Sequence, residues 1–306
     1  MDDPFAGRGG LLEVGLGSDG YAAIGRAEAD LVARTGRLDL ASALAGRQTV
    51  ARFFIAGFGT PVQRANWLGA TAAVAISEPG VGAHPKHLSA RAEPAGDGWR
   101  LTGEKAWASN GPFAAVFIVL AIMGVEDGRK RYGAFLVPRG TPGLTLHETA
   151  TRHCGLSLEN CEVPGAAVLG APGAAYETMA LPFRDVEDAV GLSGLAGAFR
   201  FLVPRLGGEA HALGGLIALA AVLEAGARRI AAALDGGVLA DNAAEAIGLR
   251  LLAAEIGARV RCHRAEFGLT DDAEVDRLLA ELEAGQSVAR GPRAARQARL
   301  ASGRTA

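Results

Sequence analysis

The chain has 306 residues, 49% of them hydrophobic and 21% charged, with a net charge of −2 at pH 7. That length can bury a sizeable core, and the near-neutral balance offers no basic field for nucleic acid or an anionic membrane surface. Cys154, Cys161 and Cys262 are an odd, scattered set, which fits a reducing cytoplasm better than a disulfide framework. The longest apolar runs, Pro112–Val125 and Ala212–Leu223, fall short of a bilayer span, and Met1-Asp2-Asp3-Pro4 opens no signal-like segment. The expectation is a cytoplasmic protein with no membrane span and no nucleic-acid partner.

In chain order, the first texture is helical. Tyr21–Ala33 reads as one helix and Leu38–Phe54 as one or two more, with Leu40, Leu44, Val50, Phe53 and Phe54 as core positions; Val62–Leu68 follows. Before them Gly15-Leu16-Gly17-Ser18-Asp19-Gly20 fits the dinucleotide pattern G-x-G-x-x-G. That mechanism needs a second parallel strand after the helix, and here another helix follows, so the glycines read as a loop.

From Ala70 to about Gly170, short apolar runs alternate with turn signals. The runs are Thr71–Ile76, Trp99–Thr102, Ala114–Met123, Tyr132–Val137 and Leu144–Leu146, which argues for an antiparallel sheet or barrel. After Pro172 the helical period returns in Val186–Leu202, His211–Leu234, Asn242–His263 and Asp272–Ala284. Leu213, Leu216, Ile217, Ala220, Leu223, Ile230 and Leu234 form the predicted stripe of the second, and Ile247, Leu251, Ala254 and Ala258 that of the third. A tail with Arg290, Arg293, Arg296, Arg299 and Arg304 reads as frayed and solvated. The predicted domains are residues 1–70 (N-terminal helices), 71–172 (middle β-domain), 173–285 (helical bundle) and 286–306 (basic tail).

The histidines form no ligand set. His84 and His87 sit in a turn-rich segment, and His153 neighbours Cys154 without a second C-x-x-C or H-x-x-x-H, so no metal is expected. No G-x-S-x-G elbow occurs, and neither Cys154 nor Cys161 has an evident base.

Two longer motifs carry more. Ala75-Ile76-Ser77-Glu78-Pro79-Gly80-Val81-Gly82 is followed by Leu101-Thr102-Gly103-Glu104-Lys105-Ala106-Trp107-Ala108-Ser109-Asn110-Gly111. Upstream stand Gly59-Thr60-Pro61-Val62-Gln63 and Trp67-Leu68; downstream stand Phe135-Leu136-Val137-Pro138, Thr141-Pro142-Gly143-Leu144 and Val163-Pro164. This ordered set resembles the acyl-CoA dehydrogenase family over about Ile55–Gly170. The resemblance implies an α+β fold with N-terminal helices, a central antiparallel β-barrel domain and a shortened C-terminal helical bundle. It also implies FAD as cofactor and an acyl-CoA thioester as substrate.

Mapped onto this chain, the resemblance gives Ile76 and Ser77 the polar edge of the flavin ring, Trp107 its flank and Ser109 a donor toward N5. The chemistry agrees, because an isoalloxazine needs donors at its edge and a flat apolar wall beside it. The alternative is that the serines stabilise turns and Trp107 is sheet core. After Gly82 the family's Ser-Asp is replaced by Ala83-His84, so Gly82, Ala83 and Lys86 are the substrate-side candidates; a solvated turn is the alternative.

The family's usual late glutamate and its Gly-Gly-x-Gly segment are not recognisable, and its Arg-x-x-Phe-Gly loop is reduced to Pro204-Arg205-Leu206-Gly207-Gly208. Asp185 and Glu187 are the candidates for the proton-abstracting base, with capping of a helix N-terminus as their other role. The leading expectation is therefore an FAD-dependent acyl-CoA dehydrogenase with an unidentified electron acceptor. A flavin-dependent monooxygenase of the same fold and a degenerate subunit of a heteromeric dehydrogenase remain the alternatives. A homo-oligomer, or a heteromer with a full-length homologue, is the expected assembly.

Overall fold

The computed structural model describes residues 2–7, 10, 13–18, 20–149, 151–237, 242–267, 272–287 and 290–302. Asp19 of the glycine motif and Arg304 of the tail lie outside the described residues, and so does the side chain of Arg290. The elements begin with α1 (Gly20–Thr35), α2 (Leu38–Val50), a π-helical turn (Ala51–Ala56) and α3 (Pro61–Trp67). The strands are β1 (Ala72–Ala75), β2 (Arg91–Ala95), β3 (Gly98–Ser109), β4 (Val116–Glu126), β5 (Arg129–Pro138), β6 (Leu144–Glu148), β7 (His153–Pro164) and β8 (Val168–Leu169). A second π-helical turn (Tyr176–Ala180) leads into α4 (Leu181–Leu202), followed by α5 (Ala210–Asp235), α6 (Ala243–Glu266), α7 (Ala273–Ser287) and α8 (Arg290–Ala301). The chain forms two compact units: Met1–Leu16 with Gly46–Asp185, and Gly17–Ala45 with Val186–Ala306.

The first unit is built on an eight-stranded sheet ordered β6-β7-β3-β2-β4-β5-β8, with β1 beside β4. Most pairs are antiparallel, as the turn spacing predicts. The pairs β1–β4 and β2–β4 are parallel, so the sheet is mixed, and β6 and β8 end the hydrogen-bonded path among the described residues. The strands β4 and β5 are joined through Asp127-Gly128, both at positive φ, the two-residue geometry that matches strand twist. The residues of β4 from Val116 to Ala121 are all buried, because the sheet is covered on both faces. Val116, Ile118 and Leu120 pack with Phe54, Tyr132, Met179 and Phe183 on one side; Phe117, Val119, Phe135, Leu156 and Cys161 form the core of the other.

The strands β2, β7 and β8 went unpredicted. In β2, Pro94 disguises the pattern, and in β7 Gly155 and Asn160, the latter at φ 54°, do the same. The Thr60–Gln63 segment is a capping box that starts α3. The Gln63 amide also donates to the carbonyls of Ala166 (2.8 Å) and Val168 (2.9 Å), tying α3 to the sheet's end.

The second unit holds α1 and most of the C-terminal helices. The N-terminus of α1 meets a carboxylate of the chain itself: Asp235 accepts from the Tyr21 (2.7 Å) and Ala22 (3.0 Å) amides. Where α1 crosses α4, a Cβ at Gly197 would run into the Ala29 backbone, so only glycine allows that approach. Close by, Glu28 is 1% exposed, near Ser42 and Arg250, and burial pushes its pKa up to about 8.

The basic tail is helical and only in part solvated: Arg299 is exposed, while two other arginines are engaged. In α8, Arg293 (2.9 Å) and Arg296 pair with Asp188 on α4, and Arg250 of α6 pairs with the same carboxylate at 2.9 Å. Burial raises the Asp188 pKa, but the three guanidinium groups outweigh it and hold the carboxyl below its ordinary range.

The predicted stripe of α6 also differs. The buried set is Leu249, Ala253, Ile256 and Val260, while Leu251 is 52% exposed. In α5, Leu216, Leu223, Ile230 and Leu234 are buried as the pattern predicts, yet Ile217 stays 57% exposed. By length and composition α5 could cross a membrane, although the continuous apolar runs of the sequence were too short to suggest it; such a helix is weak evidence for a span. A groove of about 440 Å³ runs between α5 and α6, lined by Val222, Ala225, Leu249 and Leu252, and holds none of the predicted site residues.

Two measurements check this unit. The folded pKa of Glu28 lies above its ordinary 4.5, so its contribution to stability is complete below 4.5 and is lost as pH rises through about 8. At pH 7 the ionisation penalty is roughly 3 kcal/mol at about 1.4 kcal/mol per unit. Glu28→Gln is expected to flatten the pH dependence of denaturant midpoints between pH 5 and 8 and to stabilise most at pH 8. Asp188→Asn is expected to release α8, read as early tryptic cleavage after Arg293 and Arg296 in the full chain.

Candidate functional site

The two long motifs meet through a buried ion pair. Lys105 Nζ on β3 donates to Glu78 Oε1 at 2.9 Å, with side chains only 1% and 4% exposed, and also to the Ile76 carbonyl at 3.2 Å. The Glu78 carboxylate accepts further bonds from the Ala90 amide (2.9 Å) and from the Ser89 amide (2.7 Å) and hydroxyl (2.8 Å). Burial raises the Glu78 pKa, but the Lys105 charge and these bonds outweigh it and hold the carboxyl below its usual value. The Glu78 amide donates to the Gly82 carbonyl (2.9 Å), closing the turn through Pro79 and Gly80. Neither Glu78 nor Lys105 was singled out from the sequence, although both are fixed letters of the two motifs.

This pairing brings the predicted ring-side residues together. The Ala106 amide donates to the Ser77 carbonyl at 2.9 Å, so Ile76-Ser77 runs beside Lys105-Ala106. Ile76 and Ser77 are half-buried; Trp107 and Ser109 are exposed.

The exposure of Trp107 has a local cause. Simple alternation from Leu101 through Lys105 would turn Trp107 inward. Against β7, however, Lys105 pairs with Leu156 and Ala108 with Cys154, so β3 carries one extra residue there. That bulge buries Ala108 and turns Trp107, 51% exposed, and Ser109 outward on one face. The sheet-core alternative for Trp107 is therefore overturned. The indole stacks on His153, with ring centroids 4.3 Å apart and planes 26° apart.

The substrate-side candidates lie on a loop held by its carbonyls. Tyr176 Oη donates to Ala83 O (3.2 Å), Tyr132 Oη to Pro85 O (2.5 Å), and Lys130 Nζ to Lys86 O and Leu88 O (both 2.7 Å). Gly82, Ala83 and Lys86 are left exposed.

Asp185 and Glu187 do not cap a helix. The π-helical turn Tyr176–Ala180 runs into α4 without a break, so both acids sit inside it, Asp185 half-buried and Glu187 exposed. Arg205 of the reduced loop folds back over Phe201, 3.5 Å from the ring centroid, and donates to its carbonyl. Cys154 and Cys161 are buried free thiols on β7, and burial pushes Cys154 up to about 11, which suits packing and not nucleophilic chemistry.

Residues 73–165 match the family model "Acyl-CoA dehydrogenase, middle domain". The short-chain specific acyl-CoA dehydrogenase of Rattus norvegicus mitochondria is 34% identical over 133 residues, 39% of this chain and 32% of that one. This chain thus spans about a third of the length of the curated relatives it matches. Among solved structures, glutaryl-CoA dehydrogenase from Mycobacterium smegmatis aligns with a TM-score of 0.71 at 19% identity, covering 100% of this chain and 96% of that one. Butyryl-CoA dehydrogenase from Megasphaera elsdenii also reaches 0.71 at 19% identity, covering 82% and 74%. The fold is that of the acyl-CoA dehydrogenases: N-terminal helices, a central sheet and C-terminal helices. The likeness to the acyl-CoA dehydrogenases is thus carried in sequence by residues 73–165, and the solved neighbours share the fold.

The ion pair makes a stability prediction. Lys105→Met is expected to cost about 3–5 kcal/mol, because it strands a buried carboxylate. Urea unfolding should show the double variant Glu78→Gln/Lys105→Met recovering much of that loss.

Proposed function

We propose that this chain is an FAD-binding oxidoreductase of the acyl-CoA dehydrogenase type, acting on an acyl-CoA thioester. The observation that carries the proposal is the outward face made by Trp107 and Ser109 beside Ile76-Ser77. These residues fit a flavin ring: the exposed indole offers a flat apolar wall, and the two serine hydroxyls offer donors at its edge. When bound, FAD supplies the acceptor for the hydride that leaves the β-carbon of the thioester.

The chain's own residues have the remaining tasks. Ser77 and the Ile76-Ser77 backbone hold the ring's polar edge, Ser109 donates toward N5, and Trp107 keeps water from one side. The pinned loop at Gly82-Ala83, with Lys86 at its surface, lies along the thioester. Removal of the α-proton falls to a carboxylate, Asp185 or Glu187, and a positioned base is typically worth about 10²–10⁴ in rate. The named relatives, all CoA-thioester dehydrogenases, support this substrate class.

The test uses the full chain and added FAD. Wild type is expected to retain a yellow flavin that an acyl-CoA bleaches anaerobically, whereas Trp107→Ala/Ser109→Ala should lose it. Unchanged flavin occupancy in that variant would remove Trp107 and Ser109 from the site. Asp185→Asn and Glu187→Gln, measured separately, should identify the base as a loss of about 10²-fold or more in bleaching rate. Protein-dependent oxygen consumption with reduced flavin supplied by a reductase, and without an acyl-CoA, would favour a monooxygenase.

A further inference from the structure

His153 was read from the sequence as a structural or surface residue beside Cys154. The structure puts it elsewhere. It opens β7 directly opposite Ser109, and its ring lies nearly flat on the Trp107 indole, 4.3 Å away at 26°. His153 thus pairs in register with Ser109 and stacks on Trp107, the two residues turned outward by the bulge. Its Nδ1 is buried and has no hydrogen-bond partner among the described residues.

That orphaned nitrogen restricts the chemistry of the ring. Neutral imidazole has one N–H and one lone pair, whereas imidazolium has two N–H groups, and a buried unpaired N–H costs far more than a buried lone pair. The tautomer with hydrogen on Nε2 leaves only the lone pair inside. We propose that His153, as a neutral imidazole, is the positioning residue that orients Trp107 broadside to solvent, and so sets the wall against which the flavin ring rests. The flavin clause rests on the function proposed above; the orientation of Trp107 does not.

The surrounding groups favour the neutral ring. Arg152 adjoins it just before β7, and burial and that charge both push its pKa down. The opposing residues of β3, Trp107 and Ser109, carry no charge. On β6, Glu148 lies opposite Cys154 and is engaged by Arg139 at 3.4 Å, and the Cys154 thiol stays protonated. The imidazole of His147 bonds Ser157 at 2.6 Å instead. Because the folded pKa is lowered, the ring charges only below the ordinary value of 6.5.

The experiment has two arms on the full chain. Without flavin, tryptophan fluorescence is followed from pH 8 to pH 4.5. An acid transition with a midpoint below 6.5 is expected as the imidazolium forms against the indole, and it should vanish in both His153→Phe and Trp107→Phe. With FAD titrated in at pH 8, His153→Ala should bind roughly three- to tenfold more weakly, the size of a lost aromatic stack. His153→Phe, which keeps a flat ring, should restore most of that affinity. Melting curves of each variant show whether it folds. A wild type with no Trp107-dependent acid transition overturns the proposal, and so does a folded His153→Ala that binds FAD as tightly as wild type. If wild type shows the transition but binds no FAD, the flavin reading falls and the orienting role of His153 stands on the first arm.

Discussion

The Glu78–Lys105 pair governs how the middle sheet presents its chemistry. A buried charge pair carries a desolvation cost of several kcal/mol per ion, and it is retained only where the remaining bonds are complete. Here they are: the carboxylate accepts from Lys105, Ala90 and both donors of Ser89, and the ammonium also reaches Ile76 O. The pair fastens the segment after β1 to β3, two stretches 27 residues apart in sequence. The Ala106 amide then bonds the Ser77 carbonyl, which lays Ile76-Ser77 beside Lys105-Ala106. Within each motif the charged letters support the frame, and the hydroxyl and indole letters face outward.

Much of the architecture was legible because its signals are local. Helix periodicity located α1 and α4 to α7, and turn dipeptides bracketed β1 and β3 to β6. What escaped depends on pairing. The strand β7 contains Gly155, Asn160 and Pro164 yet is held by β3 and β6 on its two sides. The helix α6 has two apolar stripes, so its pattern alone does not decide between the Leu251 and Leu249 faces; packing against its neighbours chose the latter. The paired motifs disclosed the likeness of the site, but the outward turn of Trp107 could not be read from alternation, which points the other way.

The ionisable residues of the helical unit show the same limit. The basic tail reads as solvated because sequence cannot see Asp188 on α4 waiting for three guanidinium groups. Likewise the glycine-rich turn before α1 has the outline of a phosphate cradle, yet Asp235 supplies the negative charge at that helix end. In both cases the partner comes from more than 100 residues away.

The bulge between Lys105 and Ala108 also constrains how this gene can change. Side chains along β3 can be exchanged one at a time with graded effects, since each keeps its place in the ladder. Loss of Ala106 is different in kind: it would remove the extra residue and restore plain alternation, with Trp107 and Ser109 still outward on either side of Ala108. Straightening the bulge with its length unchanged would instead turn both inward, so the pairing of β3 with β7 decides which face the indole takes.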